Sequence, residues 1–329
     1  MKLIVQIPCY NEEKTLPQTV ADIPKRIKNI DKVEILIIDD GSSDNTIQVA
    51  KKTGVDYIVR HTKNKGLAKT FISGINASLK LGADIIVNTD GDNQYCGKDI
   101  PKLIEPILQN KADIVIGDRA TDSVPEFSLF KKKMQKLGSF VVRKLSQTDI
   151  PDTVSGFRAF SRHAALQMNV LSSFSYTIET LIQAGKKQLA VTSIPIQTNP
   201  KTRESRLFKN IPSFIKQSLS TMLRVYTMYQ PLKVFFYIGI LLIIIGLFPS
   251  IRFLYYYLSG KGSGHIQSLI FASIMLVVGF NILMIGIVAD LISFNRKLLE
   301  EILLRIRSNE DSVNNLKEFN LNKNSNNDS

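Results

Sequence analysis

The sequence predicts an α/β domain with a largely parallel sheet flanked by helices, followed by two transmembrane helices. Up to about residue 200, short β-rich runs alternate with runs in which apolar residues recur at helical spacing. The C-terminal third instead contains two long apolar stretches without a charged residue. With 44% hydrophobic and 22% charged residues, the 329-residue chain is typical of folded proteins rather than of disordered ones.

Six strands and four helices are predicted in the first 200 residues. The strands are residues 3–7, 33–38, 56–59, 84–89, 113–117 and 188–195. The helices are residues 13–28, 46–53, 69–81 and 100–110. The first strand is too short to be the apolar core of a cleavable signal, so we expect the fold to begin at the N-terminus. Because open parallel sheets bind ligands beyond the carboxyl ends of their strands, the residues that follow each strand are the candidates for function.

The two uncharged stretches, residues 234–251 and 266–289, are 18 and 24 residues long. Each is long enough to cross a hydrocarbon layer about 30 Å thick. Residues 208–230 carry apolar and basic side chains on different helical faces, which is typical of a helix lying in a membrane interface. A surface helix of the soluble domain is the alternative. The predicted organisation is a cytoplasmic α/β domain (1–207), an amphipathic interfacial helix region (208–230), a transmembrane hairpin with basic ends (231–307) and a disordered polar tail (308–329).

The formal net charge of +13 is distributed as expected for a membrane protein. Basic residues flank the outer ends of the helical pair: Lys209, Lys216, Arg224, Lys233, Arg296, Lys297, Arg305 and Arg307. Among the connecting residues 252–265, only Arg252 and Lys261 are arginine or lysine. The positive-inside rule therefore predicts a protein of the cell membrane with both termini cytoplasmic and its basic charge facing anionic lipid. No nucleic-acid-binding signature accompanies the charge, and Cys9 and Cys96 are too few for a disulfide framework.

Three predicted strand ends carry carboxylates. They lie in residues 8–13, 37–44 and 85–94. Taken singly, the first could be a helix cap and the other two could be turns. Taken together, they bring carboxylates to one edge of the sheet. Asp90 and Asp92, with Gly91 between them, offer hard oxygen donors that suit Mg²⁺ or Mn²⁺, with water and phosphate oxygens as the remaining ligands.

At these junctions the sequence resembles the family 2 inverting glycosyltransferases, and among them the polyprenyl-phosphate sugar synthases of the dolichol-phosphate mannose synthase type. The resemblance runs from Leu3 to about Tyr229. It rests on six motifs in the family's order: Pro8-Cys9-Tyr10-Asn11-Glu12, Asp39-Asp40-Gly41-Ser42-Ser43-Asp44, Asn64-Lys65-Gly66, Asp90-Gly91-Asp92-Asn93-Gln94, Gly117-Asp118-Arg119 and Ser155-Gly156-Phe157-Arg158. It implies a nucleotide-diphospho-sugar transferase domain with the GT-A fold.

The resemblance also implies roles for individual residues. The nucleotide base and ribose would be bound by Pro8, Tyr10, Glu12, Asp39 and Asp40. The metal and the diphosphate would be held by Asp90, Asp92 and Gln94. The acceptor phosphate would meet Arg119 together with a basic residue of the run Lys131, Lys132 and Lys133, and the donor phosphates would meet Arg203 and Arg206. For the lysine run and for the two last arginines, solvated surface charge is the alternative.

Together with the strand-end carboxylates and the two spans, the resemblance implies an inverting, metal-dependent enzyme that transfers a hexose-type sugar from a GDP- or UDP-sugar to polyprenyl (dolichyl or undecaprenyl) phosphate at the cytoplasmic membrane face. The second pKa of a phosphate is near 6, so its attacking oxygen is largely ionised and needs no general base. If the acceptor were a sugar or glycolipid hydroxyl, Asp152 or Glu179 could serve as the base. The Gln-x-x-Arg-Trp motif of processive synthases is excluded because the chain has no tryptophan. A non-catalytic membrane scaffold is the remaining alternative, and the paired spans could support a homo-oligomer.

Overall fold

A seven-stranded mixed sheet forms the centre of the N-terminal part of the protein, which we describe from a computed structural model. The structure describes residues 1–119, 139–170, 176–200, 211–260 and 266–325, with the backbone alone for 211–218 and 310–325. The strands are β1 (Lys2–Cys9), β2 (Lys32–Asp39), β3 (Tyr57–Arg60), β4 (Ile85–Asn88), β5 (Ile114–Asp118), β6 (Arg158–Ser161) and β7 (Val191–Pro195). Their order in the sheet is β3-β2-β1-β4-β6-β5-β7. Strand β6 is antiparallel to β4 and β5, and the other neighbouring strands are parallel, so the predicted α/β class with a largely parallel sheet is confirmed.

The central strands form the core of this sheet. The side chains of Leu3, Ile4, Val5 and Ile7 in β1 have no exposed surface, and the same holds for those of 85–87 in β4. Parallel strands that are covered on both faces read as continuous apolar runs, which is why the sequence predicts them. Strand β6 was missed because it is four residues long and opens with a charged residue, Arg158, whose burial the sequence does not reveal.

Helices cover the sheet and connect its strands. They are α1 (Leu16–Asp22), α2 (Thr46–Lys52), α3 (Leu67–Lys80), α4 (Ile100–Leu108), α5 (139–146), α6 (Arg162–Gln167) and α7 (Tyr176–Lys186). The helix predicted for residues 13–28 is shorter in the structure. Ile23 is extended, with ψ of 123°, because the ring of Pro24 disfavours the helical conformation of the residue before it.

The chain divides into two units. The first comprises Met1–Met222 with Leu304–Ser329, and the second comprises Leu223–Leu303. Within the first unit, Nη1 of Arg307 donates to the carbonyl oxygens of Leu166 and Met168, both at 3.1 Å. A guanidinium at the C-terminal end of α6 meets carbonyls that the helix itself leaves unpaired. This contact joins the C-terminal segment to the α/β unit.

The second unit contains an apolar helical hairpin. Helices α9 (Pro231–Leu258) and α10 (Ile266–Ser325) follow α8 (Ile211–Tyr229). The two predicted spans are confirmed as helical segments long and apolar enough to cross a membrane, Pro231–Leu258 and Ile266–Asn309. Phe248 and Leu258 are each 76% exposed, and apolar surface on this scale suits hydrocarbon rather than water.

Small residues let the two hairpin helices approach closely. A Cβ atom added to Gly239 would lie 2.7 Å from Leu283 Cδ2 and 3.0 Å from the carbonyl oxygen of Gly279. Glycine at such crossings permits direct backbone contact, as is common between transmembrane helices. The packing of the hairpin therefore depends on Gly239 and Gly279 having no side chains.

Helix α10 extends further than the sequence predicts. Its backbone is helical to Ser325. The polar composition after Ser308 instead predicts a disordered tail. Extending an existing helix adds one hydrogen bond for each residue fixed and requires no new nucleus, which outweighs the polar composition of this segment.

Helix α8 has one buried and one exposed face in the part whose side chains are described. Met222, Val225 and Tyr229 are buried, whereas Leu219 and Leu223 are 62% and 59% exposed. Two exposed leucines one helical turn apart form an apolar stripe. The interfacial position expected for residues 208–230 stays a prediction.

Candidate active site

The three carboxylate-bearing junctions meet at one edge of the sheet. Strands β2, β1 and β4 are adjacent and parallel, with Cys9 opposite Asp39 and Gln6 opposite Asn88. The turn after β4 lies against the end of β1: a Cβ atom added to Gly91 would be 3.2 Å from both Cys9 Sγ and Glu12 Cγ. The sheet thus places the three junctions side by side, as the sequence predicts.

The first two junctions are held together by reciprocal hydrogen bonds. The N–H of Asn11 donates to Ser42 Oγ (2.9 Å), and Asn11 Oδ1 accepts from the N–H of Ser43 (2.8 Å). The N–H of Glu12 donates to Thr46 Oγ1 (2.8 Å). Asn11 has a φ of 58°, which asparagine adopts more readily than most residues. The loops after β1 and β2 therefore form one layer of backbone.

Asp40 is buried and forms hydrogen bonds with the loop that follows β3. Its carboxylate is 3% exposed and accepts from the N–H groups of Lys65 (2.8 Å) and Gly66 (2.9 Å). Nδ1 of His61 lies 2.8 Å from Asp40 Oδ1, and Nε2 of His61 lies 3.0 Å from Ser73 Oγ. Asp40 therefore connects the Asn64-Lys65-Gly66 motif to the end of β2, a role that sequence reasoning missed.

The other predicted nucleotide-binding residues surround the same loops. Asp39 is fully buried at the end of β2 and accepts from the N–H of Ser42 at 3.2 Å. Pro8 is buried in β1, and Glu12 is 6% exposed, with its Oε2 accepting from Thr15 Oγ1 at 2.9 Å. The ring of Tyr10 is 41% exposed. Of these five residues, Tyr10 offers the most accessible surface to a nucleotide base.

Asp90 lies directly against the backbone of Gly156. A Cβ atom added to Gly156 would be 3.1 Å from both carboxylate oxygens of Asp90. The loop that carries Gly156 enters the antiparallel strand β6, whose Arg158 is opposite both Asn88 of β4 and Ile116 of β5. This register brings the ends of β4 and β5 to the same level, so that Asp90 and Arg119 follow neighbouring positions of the sheet edge.

The end of the Asp90-to-Gln94 motif is fixed by a second segment. Asp92 is half-buried, and its Oδ1 accepts from the N–H of Gln94 at 3.2 Å. The N–H of Asn199 donates to the carbonyl oxygen of Gln94 (2.9 Å), and Asn199 Nδ2 donates to that of Asn93 (3.0 Å). The predicted metal-binding residues Asp90, Asp92 and Gln94 thus share one short, well-anchored turn.

Arg119 forms a two-pronged ion pair with Asp152. Its Nε donates to Asp152 Oδ2 (2.7 Å) and its Nη2 to Asp152 Oδ1 (3.0 Å). Burial opposes the charge of Arg119, but the Tyr95 hydroxyl, Asp152 and Asp90 outweigh it and raise the pKa of the guanidinium. The guanidinium therefore stays charged, and its charge interacts with that of Asp90.

Two further charged side chains, Arg158 and Glu179, are buried. Arg158 is 1% exposed and donates to the carbonyl oxygens of Thr153, Ser155 and Thr177 and to Thr180 Oγ1. These four acceptors are neutral, and burial lowers the pKa of Arg158 to about 10. Glu179, the other base considered for a hydroxyl acceptor, is fully buried and accepts from Gln183 Nε2 at 3.2 Å.

The site fits a divalent cation held jointly by protein and diphosphate. No group of three or more His, Cys, Asp or Glu side chains able to bind a metal occurs in the described ranges. Mg²⁺ commonly uses only one or two carboxylates and takes substrate phosphates and water as its other ligands, so Asp90 and Asp92 suffice. Glycines at 91 and 156 let the backbone pass close to this turn, since a Cβ at either position would lie within 3.2 Å of neighbouring atoms.

Several predicted contacts fall outside the described residues. These are Lys131, Lys132, Lys133, Arg203 and Arg206. Their roles toward the acceptor and donor phosphates stay predictions. Conversely, the structure adds Asn88, Tyr95, Gly156 and Tyr176 around Asp90. Asn88 lies in the strand-end stretch 85–94 and Gly156 in a motif of the resemblance, but the sequence assigns a role to neither, and Tyr95 and Tyr176 lie in no such motif.

Comparisons with known proteins point to one family. A family model described as glycosyl transferase family 2 matches residues 4–167. The chain is 33% identical over 217 residues to a UDP-N-acetylglucosamine–dolichyl-phosphate N-acetylglucosaminyltransferase of Methanococcus voltae, covering 58% of this chain and 83% of that protein. It is 32% identical over 218 residues to a dolichol-phosphate mannosyltransferase of Pyrococcus furiosus, covering 63% of this chain and 59% of that protein.

A solved structure supports the fold. Glucosyl-3-phosphoglycerate synthase from Mycobacterium tuberculosis, in complex with Mn²⁺, UDP-glucose and phosphoglyceric acid, matches with a TM-score of 0.54 at 18% identity, covering 68% of this chain and 79% of that one. At this identity the likeness concerns the GT-A-like fold alone. The family match and one-third identity over most of the length of the M. voltae relative lead to one conclusion: the chain belongs to glycosyl transferase family 2.

Proposed function

We propose that this glycosyltransferase moves a hexose-type sugar from a GDP- or UDP-sugar to a polyprenyl phosphate, dolichyl or undecaprenyl, with inversion at the anomeric carbon. The observation that carries the proposal is the convergence of Asp90, Asp92 and the Arg119–Asp152 pair at the carboxyl edge of the sheet. The two curated relatives named above use dolichyl phosphate or dolichol phosphate by name, which supports the acceptor class.

The nucleotide would bind over the layer formed by the loops after β1 and β2. Gly41, with a φ of 74°, lets that layer contact the loop after β3: an added Cβ would be 2.8 Å from the carbonyl carbon of Lys63. Asp40 holds the same loop through its bonds to Lys65 and Gly66. The exposed ring of Tyr10 provides a surface on which a base can stack.

The diphosphate would be bound at the turn after β4. Asp90, Asp92 and Gln94 would hold Mg²⁺ or Mn²⁺, which neutralises the charge that develops on the leaving nucleoside diphosphate. Mn²⁺ in the neighbouring glucosyl-3-phosphoglycerate synthase structure, and Mg²⁺ in another of the same enzyme, support a divalent cation for this fold. The bonds from Asn199 to the carbonyl oxygens of Asn93 and Gln94 support this turn from a second segment of the chain.

The positive charge of Arg119 would meet the acceptor phosphate. Asp152 engages Nε and Nη2 of that guanidinium and thereby fixes its plane. A carboxylate held in this way is poorly suited to remove a proton from an incoming hydroxyl, and the fully buried Glu179 is no better placed. This geometry favours an acceptor that arrives already ionised, as a phosphate does.

The membrane location follows from the hairpin and its charges. Helices α9 and α10 offer two apolar spans, and the basic residues cluster at their outer ends, including Lys233, Arg296 and Lys297. By the positive-inside rule we propose that the catalytic domain and both termini are cytoplasmic. The exposed Leu219 and Leu223 of α8 would lie in the interface, where the phosphate of a lipid acceptor is found.

A membrane assay with radiolabelled nucleotide sugars tests the proposal. Membranes containing the full-length protein would be supplied with polyprenyl phosphate and with GDP- or UDP-linked sugars, each with and without a chelator. We expect an acid-labile labelled lipid with one class of donor, and its loss when the divalent cation is removed. Absence of a labelled lipid with every donor, or a product unaffected by the chelator, would contradict the proposal.

A further inference from the structure

Gly156 lies at the centre of a buried hydrogen-bond network beside Asp90. Its N–H donates to Tyr95 Oη at 2.9 Å, and its carbonyl oxygen accepts from Asn88 Nδ2 at 2.9 Å and from Tyr176 Oη at 3.3 Å. Both polar groups of this peptide are therefore used, and its position is fixed from two sides.

The partners of Gly156 are themselves immobilised. Asn88 Oδ1 accepts from Gln6 Nε2 at 2.9 Å. The ring of Tyr176 stacks on Phe71 with 3.9 Å between centroids, and the ring of Tyr95 stacks on Phe157 at 5.3 Å. Tyr95 and Tyr176 are both almost fully buried. Hydrogen bonds on both sides of the peptide, together with packed rings, hold these groups in one arrangement.

Space, not backbone conformation, requires glycine at this position. The φ of Gly156 lies outside the left-handed region, so any residue could adopt it. An added Cβ, however, would lie 3.1 Å from both oxygens of Asp90 and 3.0 Å from Tyr176 Oη. The network therefore holds the Cα atom of Gly156, which carries no side chain, close to the Asp90 carboxylate. The carboxylate then has little freedom to turn toward Gly156.

We propose that Gly156 is a positioning residue for the metal site: its peptide, held by Asn88, Tyr95 and Tyr176, forms the wall that aims the Asp90 carboxylate at the divalent cation. The inference rests on the proposed function, since it assumes that Asp90 is a ligand. Partners of metal ligands typically change metal affinity by about 10- to 100-fold when they are altered.

The test is the affinity for Mn²⁺ of full-length protein in detergent, measured by electron paramagnetic resonance of the unbound ion in the presence of UDP or GDP. We expect Gly156→Ala to raise the Kd for Mn²⁺ by about 10-fold or more. In turnover, its half-activating Mn²⁺ concentration should rise, while kcat at saturating Mn²⁺ should recover much of the wild-type value. A purely structural defect would lower kcat at every metal concentration.

Two further variants provide a stability control and a substitute for Gly156→Ala. Gly54→Ala is the control for lost stability, because Gly54 has a φ of 73° and an added Cβ would meet no atom within 4 Å. It should leave the Kd for Mn²⁺ unchanged. Should Gly156→Ala fail to fold, Tyr95→Phe removes the acceptor of the Gly156 N–H while keeping the ring stacked on Phe157, and should raise the Kd several-fold.

The possible outcomes distinguish failure of the positioning role of Gly156 from failure of the proposed function. If the wild type binds neither Mn²⁺ nor a nucleoside diphosphate, the proposed function fails. If the wild type binds both and the Gly156→Ala and Tyr95→Phe variants bind Mn²⁺ equally well, the positioning role of Gly156 is wrong while the function stands.

Discussion

The guanidinium of Arg119 is held by the buried carboxylate of Asp152 through two hydrogen bonds, from Nε to Oδ2 (2.7 Å) and from Nη2 to Oδ1 (3.0 Å). Asp152 is 1% exposed and Arg119 is 17% exposed, so the pair is largely withdrawn from water. Such a pair fixes the plane of the guanidinium, which a lysine could not reproduce. We therefore expect the pair to act as one unit that presents an oriented positive charge to the acceptor.

Arg119→Lys tests whether that charge serves the acceptor. The variant keeps the charge but loses the two-pronged geometry, so we expect a KM for polyprenyl phosphate raised by about 10-fold or more, which corresponds to the loss of one charge-assisted bond. Steady-state kinetics with varied acceptor give the KM, and Mn²⁺-nucleotide binding serves as the control. Equal losses of donor and acceptor affinity would contradict an acceptor-specific role.

Asp152→Asn distinguishes an orienting carboxylate from a catalytic base. The substitution leaves the buried charge of Arg119 without its partner, so the free energy of unfolding should fall by about 3 kcal/mol. If Asp152 only orients Arg119, transfer to polyprenyl phosphate should be reduced but keep the pH profile of the wild type. A profile that loses its rise with pH would identify Asp152 as the base and favour a hydroxyl acceptor.

Asp92→Asn should reduce transfer by about 100-fold or more, because the site loses one of the two negative charges that hold the cation and the charge of the leaving group is then less well neutralised. The rate is measured with labelled donor at saturating Mn²⁺. Asp113→Asn is the matched control, since Asp113 accepts from the N–H of Ala190 at 3.0 Å beside the amino end of β5, the opposite edge of the sheet. Similar losses in both variants would mean that stability, not the metal, accounts for the effect.

Asp40→Asn should weaken nucleotide binding through the loop after β3. The amide would turn a donor toward N–H groups that now donate to the Asp40 carboxylate, at a cost of about 1 to 3 kcal/mol. Binding of UDP or GDP is measured by isothermal titration. Asp56→Asn is the control: Asp56 accepts from the N–H of Ile35 at 2.8 Å at the start of β3, so it should lose stability without losing nucleotide affinity.

Tyr95 gives the stability of the protein a dependence on alkaline pH. Burial, chiefly, raises the pKa of Tyr95 to about 12 from 10.0. Its contribution is therefore fully present below pH 10, where both folded and unfolded forms are protonated, and is lost as the pH rises toward 12. This rise in pKa, from 10.0 to about 12, corresponds to about 3 kcal/mol of unfolding free energy.

The comparison with Tyr95→Phe isolates this effect. Near neutral pH the variant should melt below the wild type, because the buried N–H of Gly156 loses its acceptor. Between pH 10 and pH 12 the difference in Tm should shrink or reverse, since the variant has no phenol to ionise. A difference in Tm that is constant from pH 8 to pH 11.5 would show that Tyr95 is not buried as described.

The sequence predicts the parts of the site that depend on local pattern. Continuous apolar runs mark β1, β2 and β4, and their parallel order brings the motif beginning at Asp90 beside that at Asp39. What it does not reveal depends on contacts between distant segments. The buried Arg158 is satisfied by carbonyls from two separate segments, and Asp40 is engaged by a loop about 25 residues further along the chain. Neither pairing leaves a periodic signal.

The choice between a phosphate and a hydroxyl acceptor shows whether a lipid phosphate is the group that attacks the sugar. Purified full-length protein in liposomes would receive labelled donor, Mn²⁺ and either a polyprenyl phosphate or the same polyprenol without its phosphate. We expect a labelled lipid with the phosphate, no labelled lipid with the alcohol, and loss of the product in Asp92→Asn. Equal transfer to the alcohol, or transfer that survives in Asp92→Asn, would contradict a metal-bound diphosphate donor attacked by an ionised lipid phosphate.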